Sequence, residues 1–232
     1  MVKVILSPAL DVYGQMALDE TLVLQESLAG DNLLRFFNWK DGGFATFGYA
    51  QFYLDAKKQI EALGIKEYTR RPSGGGIVIH KHDLTFSLVF NSTADFEVKE
   101  VYRVLHSLIC GELKKCGAEL EVYNNAKSDY RPAHNGVNFA CFTNPVGDDL
   151  MSGGIKVLGG AMRRFGKRVL YQGSLQIENA RRNPAYKMAI KKAFSDFCCG
   201  QEVLHQAADK DILTQAHTLA LTYKSKEWKE KF

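Results

Sequence analysis

A disulfide framework is missing from this sequence. Five cysteines, an odd number, stand at positions 110, 116, 141, 198 and 199. No C-x-x-C pair occurs, and the vicinal Cys198-Cys199 is a poor bridge, so the chain reads as a protein of a reducing cytoplasm. Zinc is equally unsupported, because His80-x-His82 is the nearest approach to ligand spacing. No apolar run reaches the roughly 20 residues of a membrane span. The start, Met1-Val-Lys-Val-Ile-Leu-Ser-Pro, lacks the long apolar region and small-residue cleavage site of a secretory signal. Repeats, low-complexity stretches and Pro/Ser-rich linkers are absent. A strong charge of one sign is missing too: the net value is +4, too mild for a dedicated nucleic-acid binder.

What remains is an ordinary globular composition, 46% hydrophobic and 24% charged over 232 residues. A chain of this mass can bury about 72% of its extended surface, so a core needs no staples. The expectation is one domain, 1–232, with no accessory C-terminal domain. Residues 11–29 read as a helix ended by Gly30. Strands are expected at Leu33–Trp39 and Phe44–Tyr49, a short helix at Asp55–Leu63, and a strand at Ile65–Thr69. Further strands are expected at Gly76–Ile79 and Leu84–Phe90, and an amphipathic helix at Val98–Lys115. Ala118–Tyr123 reads as a strand and 124–136 as a loop. Strands follow at Val137–Phe142, Ile155–Met162 and Val169–Ile177, then helices at about 184–198 and 202–222. Lys224–Phe232 reads as a solvated tail. Strand pairs joined by short turns outnumber β-α-β units. The expected class is therefore α+β, with a central mixed, mostly antiparallel sheet flanked by helices.

Three segments carry chemistry. Arg70-Arg71-Pro72-Ser73-Gly74-Gly75-Gly76 sets three glycines between two strands. Each costs about 0.5–1 kcal/mol relative to alanine, which points to unusual dihedrals or to backbone N–H groups approaching a ligand, with the arginines as anion contacts. It is neither a Walker loop nor a dinucleotide fingerprint. In the second segment, Gly153-Gly154-Ile155-Lys156-Val157-Leu158-Gly159-Gly160-Ala161, a lysine sits between two glycine pairs. The glycines suggest that something packs on the backbone within reach of a cation. By charge alone, the five bases between Lys156 and Arg168 read as a solvated hairpin. The third is Ala140-Cys141-Phe142, where the residues by themselves favour a small core hydrophobe over a nucleophile. His82, His106, His134, His205 and His217 read as surface or satisfied core positions.

Together these segments resemble the lipoate/octanoate attachment family, which shares its catalytic fold with biotin–protein ligases. Arg70 to His80 is similar to the motif R-R-x-S/T-G-G-G/R-x-V-x-H. Lys156-Val-Leu-Gly-Gly-Ala161 is similar to K-[I/V]-x-G-[S/G]-A. Gln172-Gly173-Ser174-Leu175 resembles H-G-[S/T]-[L/I], with glutamine in place of histidine. Met16-Ala-Leu-Asp19-Glu20, and Trp39 with Gly48-Tyr49-Ala-Gln51, match two upstream signatures. The five motifs run in order over about residues 10–178. The resemblance implies a biotin/lipoate protein ligase-like catalytic domain. It implies that Arg70, Arg71, Ser73, Gly74, Gly75, Gly76 and His80, with Gly159, Ala161, Gly173 and Ser174, bind an acyl substrate, while Lys156 holds the acyl carbonyl or its leaving group.

The family contains two chemistries. Transferases carry octanoate from acyl carrier protein through a cysteine thioester to a lysine of a lipoyl domain, without a cofactor. Ligases activate lipoate with ATP and Mg²⁺. Cys141-Phe142, fifteen residues before Lys156, resembles one transferase branch, and the ligases' H-D-x-G-N stretch is missing. Gly76, and Asp148-Asp149-Leu150, resemble the ligases, in which Asp149 would lie near nucleotide and metal. The transferase, with Cys141 and Lys156 catalytic and no resident metal, is the favoured reading. The ligase, a non-catalytic acyl- or lipoyl-domain-binding module and a biotin ligase are the alternatives. Implied acceptors are lipoyl domains of 2-oxoacid dehydrogenase complexes or the glycine cleavage H protein, with no nucleic acid or membrane partner.

Overall fold

A computed structural model describes residues 1–92, 96–124 and 145–232. The chain opens with β1 (Val2–Leu6), α1 (Val12–Leu24), β2 (Asn32–Phe36), β3 (Phe44–Phe47), α2 (Tyr53–Ala62), β4 (Glu67–Arg70) and β5 (Val78–His80). It continues through β6 (Leu84–Asn91), α3 (Val98–Lys115), β7 (Glu121–Val122), β8 (Leu150–Ser152), β9 (Ile155–Phe165) and β10 (Arg168–Leu175). The last elements are α4 (Pro184–Phe197), β11 (Val203–Ala207), α5 (Lys210–Lys224) and α6 (Lys226–Lys229). The strand expected at Val137–Phe142 lies outside the described residues. Among those described, no helix is long and apolar enough to cross a membrane.

Eight strands form one sheet in the order β11-β1-β2-β6-β10-β9-β8-β7, and three form a second, β4-β3-β5. In the large sheet only β11–β1 and β1–β2 run parallel; the other pairings are antiparallel. This is the mixed, mostly antiparallel α+β arrangement read from the sequence. One face of the large sheet carries α3 and α4: Phe86, Leu88, Tyr171 and Leu175 pack with Leu105, Ile109, Ile190 and Phe194. The other face meets α1 and α5, where Leu33, Val89 and Leu170 pack on Leu18, Leu22 and Ile212.

The functional region follows from the strand period. Successive side chains of a strand face opposite ways, and β6 and β10 alternate apolar residues with Thr85, Ser87, Gln172 and Ser174. Such alternation ordinarily marks a half-solvated strand. Here the polar residues are themselves buried, each less than 9% exposed. Buried polar rows require partners, and those partners build the site. α1 crosses this polar face. Asp11 caps it by accepting from Gly14 N–H at 2.9 Å, and the helix is buried on nearly all sides.

Three expectations are corrected. Residues 202–222 are not one helix. Val203–Ala207 is a strand that extends the sheet in parallel along β1, because the open edge of β1 offers unpaired backbone groups that tertiary contact fills. The helix starts only after Asp209, whose carboxylate accepts from Asp211 N–H at 2.7 Å. The tail after Lys224 is not simply solvated. α6 packs on Tyr223 and Tyr49 through Trp228, and the Trp228 indole N–H donates to the Arg70 carbonyl at 2.8 Å. The basic run from Lys156 also departs from a solvated hairpin: Lys156 and Arg168 are buried, and Arg168 donates to the carbonyls of Leu22 and Asp31.

Candidate active site

The glycine-rich turn between β4 and β5 is held from both sides. Gly75 takes a positive φ of 86°, which glycine adopts without penalty. Tyr49 N–H donates to the Ser73 carbonyl at 2.8 Å, and the Ser73 hydroxyl donates to Gln172 Oε1 at 2.6 Å. Gly48 lies so close beneath the turn that an added Cβ would sit 1.8 Å from the Gly75 carbonyl oxygen.

The two arginines of this segment differ in use. Arg70 is fully buried, and its guanidinium donates to five backbone carbonyls: Gly48, Tyr49, Gln51, Trp228 and Lys229. It ties the turn to the C-terminal helix. Arg71 lines a cleft between the two sheets and donates to the Gly74 carbonyl and to Thr46 Oγ1.

That cleft is narrow, about 30 Å³, room for roughly two waters. Met16, Phe37 and Val78 form its apolar walls, Gly159, Gly160 and Ala161 one side, and His80, Gln172, Gly173 and Ser174 the rest. Gly159 borders Lys156: a Cβ there would lie 2.5 Å from Lys156 Cε and 2.7 Å from its Nζ. At Gly173 an added Cβ would lie 2.6 Å from the Phe86 ring, so a side chain there would displace the ring.

Lys156 is 5% exposed. An isolated buried ammonium would be prohibitively costly, and Asp149 compensates it with Oδ2 at 2.7 Å. Asp149 is fully buried and also accepts from Tyr102 O–H at 2.5 Å and Val146 N–H at 2.7 Å. Burial first, then the Asp149 charge, pushes the Tyr102 phenol well above its ordinary value, so it remains an O–H donor while accepting from Gly160 N–H at 3.1 Å.

Behind this pair, His106 stands between the Asp148 carbonyl and Tyr171 O–H, each at 2.8 Å. The carbonyl fixes the proton on Nδ1, and Nε2 accepts from the tyrosine. Burial, followed by the Lys156 charge, pulls this imidazole down to about 3 from 6.5, against the opposing Asp148 hydrogen bond. The folded state therefore holds it neutral, and the unfolded chain binds its proton first. Its contribution to stability is complete above about pH 6.5 and is lost as the pH falls toward 3. Denaturation midpoints should fall across this window, on the order of a few kcal/mol in total. The His106→Gln variant should show a flatter acid limb.

At the other end of the cleft, His80 stacks on Trp39 at 4.7 Å. It lies 2.9 Å from Thr46 Oγ1 and 2.9 Å from Asp83 Oδ2. Burial opposes the Asp83 charge. The His80 contact and the Thr85 and Ser174 hydroxyls outweigh it and hold the carboxyl below its usual range. Outside this network opens a wider cleft of about 590 Å³, rimmed by Lys40, Lys81, His82, Arg181 and Arg182 together with Asp41 and Glu178.

The structure thus brings Arg71, His80, Gly159, Ala161, Gly173 and Ser174 to one cleft, with Ser73, Gly74 and Gly75 in the turn beside it and Lys156 and Asp149 adjoining at Gly159. Gly76 is buried where the turn meets β5. Cys141 and His134 lie outside the described residues. Sequence reasoning missed Asp83, Tyr102, Thr46 and Arg35, and took Asp19 only as part of a motif. The polar row of β6 and β10 could have signalled Asp83 and Asp19, which accept from Thr85 and Ser174 and from Ser87 and Gln172. Among the described residues no three His, Cys, Asp or Glu side chains converge as a metal site would require.

Comparison with known proteins matches this architecture. Residues 11–206 match the lipoyl protein ligase A/B catalytic domain model. Octanoyltransferase LipM of Moorella thermoacetica is 30% identical over 173 residues, covering 71% of this chain and 61% of that protein. The Carboxydothermus hydrogenoformans LipM is 32% identical over 171 residues, covering 70% and 60%. The chain spans about three fifths of the length of these curated relatives. Among solved structures, lipoate-protein ligase A bound with ATP superposes with a TM-score of 0.73 at 18% identity, over 98% of this chain and 97% of that one. A bi-partite lipoate protein ligase from Thermoplasma acidophilum gives 0.71 at 17%, over 98% and 95%; both likenesses establish the fold. The chain belongs to the lipoyl protein ligase A/B catalytic domain family.

Proposed function

We propose that this chain attaches an octanoyl group to the lysine of lipoyl domains, taking it from acyl carrier protein. The observation that carries the reading is the buried Lys156 ammonium, paired with Asp149 and bordered by Gly159 at an apolar cleft. An acyl carbonyl needs a fixed positive group where its oxygen gains charge in the tetrahedral intermediate. Its alkyl tail needs an apolar slot, at about 0.8 kcal/mol per buried CH₂. An eight-carbon chain exceeds the present volume, so the walls carrying Met16, Phe37 and Val78 part as it enters.

The chemical steps balance without a nucleotide. The Cys141 thiolate attacks the thioester carbon, the carrier leaves as its thiolate and takes a proton from water, and the octanoyl group stays on Cys141. The lipoyl-domain amine then attacks that carbon, gives up a proton, forms the amide and releases the cysteine thiolate. Arg71, Gly74 and Gly75 position the acyl end.

The names of the curated relatives favour octanoyl transfer. The test is a two-arm assay on one lipoyl domain. One arm supplies octanoyl-acyl carrier protein without nucleotide, the other lipoic acid with MgATP. Product in the first arm, with an octanoyl adduct on Cys141 by mass spectrometry, is expected. Product only in the second assigns the ligase reaction, and none in either leaves a binding module.

A further inference from the structure

We propose that Gln172 is a positioning residue, an uncharged relay that fixes the Ser73 hydroxyl and through it the glycine-rich turn. Its activity arm rests on the transfer reading above. The relay is continuous and buried. Asp19 Oδ1 accepts from Arg35 Nε at 2.9 Å and Ser87 O–H at 2.6 Å, while Oδ2 accepts from Gln172 Nε2 at 2.7 Å. Gln172 Oε1 in turn accepts from Ser73 at 2.6 Å. All five side chains are at most 7% exposed.

The direction of every bond is forced. A carboxylate paired with a guanidinium can only accept. Gln172 must therefore present its NH₂ to Asp19 and its carbonyl to Ser73, and Ser73 must spend its single hydrogen on Gln172. The turn is then pinned at two atoms of one residue, the Ser73 hydroxyl by Gln172 and its carbonyl by Tyr49.

Glutamine does this without a titratable group. An imidazole beside Asp19 would gain a second proton within reach of neutral pH, turn its acceptor nitrogen into a donor and force Ser73 to accept instead, taking this acceptor away from the buried hydroxyl hydrogen. A carboxyl would do the reverse. Burial and the Asp19 charge would raise its pKa. Protonated, it would copy the amide; ionised, it would repel Asp19 and lose the donor.

Two substitutions therefore carry opposite pH signatures. The Gln172→Glu variant should transfer octanoate within about threefold of the unsubstituted protein near pH 5.5, and lose at least about tenfold more than it by pH 8. The Gln172→His variant should lose activity toward acid instead. Hydrogen exchange of the Gly74–Gly76 amides, taken as a ratio to the unsubstituted protein at each pH, should rise in the same opposite directions. This second readout needs no turnover, so it decides the positioning even if no octanoyl transfer is found. Should either variant fail to fold, the other still carries its own sign. Exchange ratios and relative rates that do not vary with pH in either variant would overturn the proposal. So would pH-dependent exchange with an unchanged transfer rate in a protein that does transfer.

Discussion

Replacing Lys156 by alanine is expected to lower the proposed octanoyl transfer by about 10²–10³-fold, the usual cost of losing one preorganised group at a developing oxyanion. The same change should also destabilise the fold. It strands the Asp149 carboxylate, which is fully buried, with Tyr102 and Val146 as its remaining donors among the described residues. Breaking one half of a buried ion pair costs about 3–5 kcal/mol. The two effects can be separated. Lys156→Met combined with Asp149→Asn removes both charges, and a buried pair replaced as a unit is often close to neutral. The double variant should regain most of the lost thermal stability and none of the transfer rate. Recovery of both would place Lys156 among the structural residues.

The second large effect is expected at Gly48→Ala. A Cβ at this position meets backbone only: the Gly75 oxygen at 1.8 Å, the Gly75 carbonyl carbon at 2.8 Å and the Gly74 carbonyl carbon at 3.0 Å. No side-chain rotation relieves such a clash, so the glycine turn itself must move. Overpacking of this kind costs about 1–3 kcal/mol. A turn displaced by even 1 Å should lower kcat/KM by roughly 10²-fold, because positioning supplies much of the rate. Gly111→Ala is the control. It lies within α3 with nothing inside 4 Å of the added carbon, and should raise stability by about 0.5–1 kcal/mol with activity unchanged. Unfolding midpoints and steady-state rates of the two variants check the contrast.

The fold was readable where one physical signal dominated. Val98–Lys115 carries its apolar stripe at the helical period, and the observed helix has those bounds. Residues 203–207 were misread because a strand edge about two hundred residues away in the sequence, β1, decided their conformation; only the tertiary pairing distinguishes that segment from the start of a helix. The site was half legible. The glycine segments and Lys156 stood out because triple glycine and a lysine in an apolar strand are costly unless used. Asp83 and Tyr102 did not, because a polar residue in a turn or on a helix ordinarily faces water. Their burial depends on what covers them, and α1 and the small sheet supply that cover from distant parts of the chain. Arg70 illustrates the reverse: as one of two adjacent arginines it read as an anion contact, whereas its partners are carbonyls of residues 48, 49 and 51 and of residues 228 and 229.

The most direct measurement is a crystal structure with a hydrolysis-resistant octanoyl thioester analogue. The account predicts the carbonyl oxygen within about 3 Å of Lys156 Nζ. The alkyl chain should run along Met16, Phe37 and Val78, past the flat wall of Gly159 and Gly160. An acyl chain bound elsewhere, or one seated in the cleft with its carbonyl remote from Lys156, would contradict it.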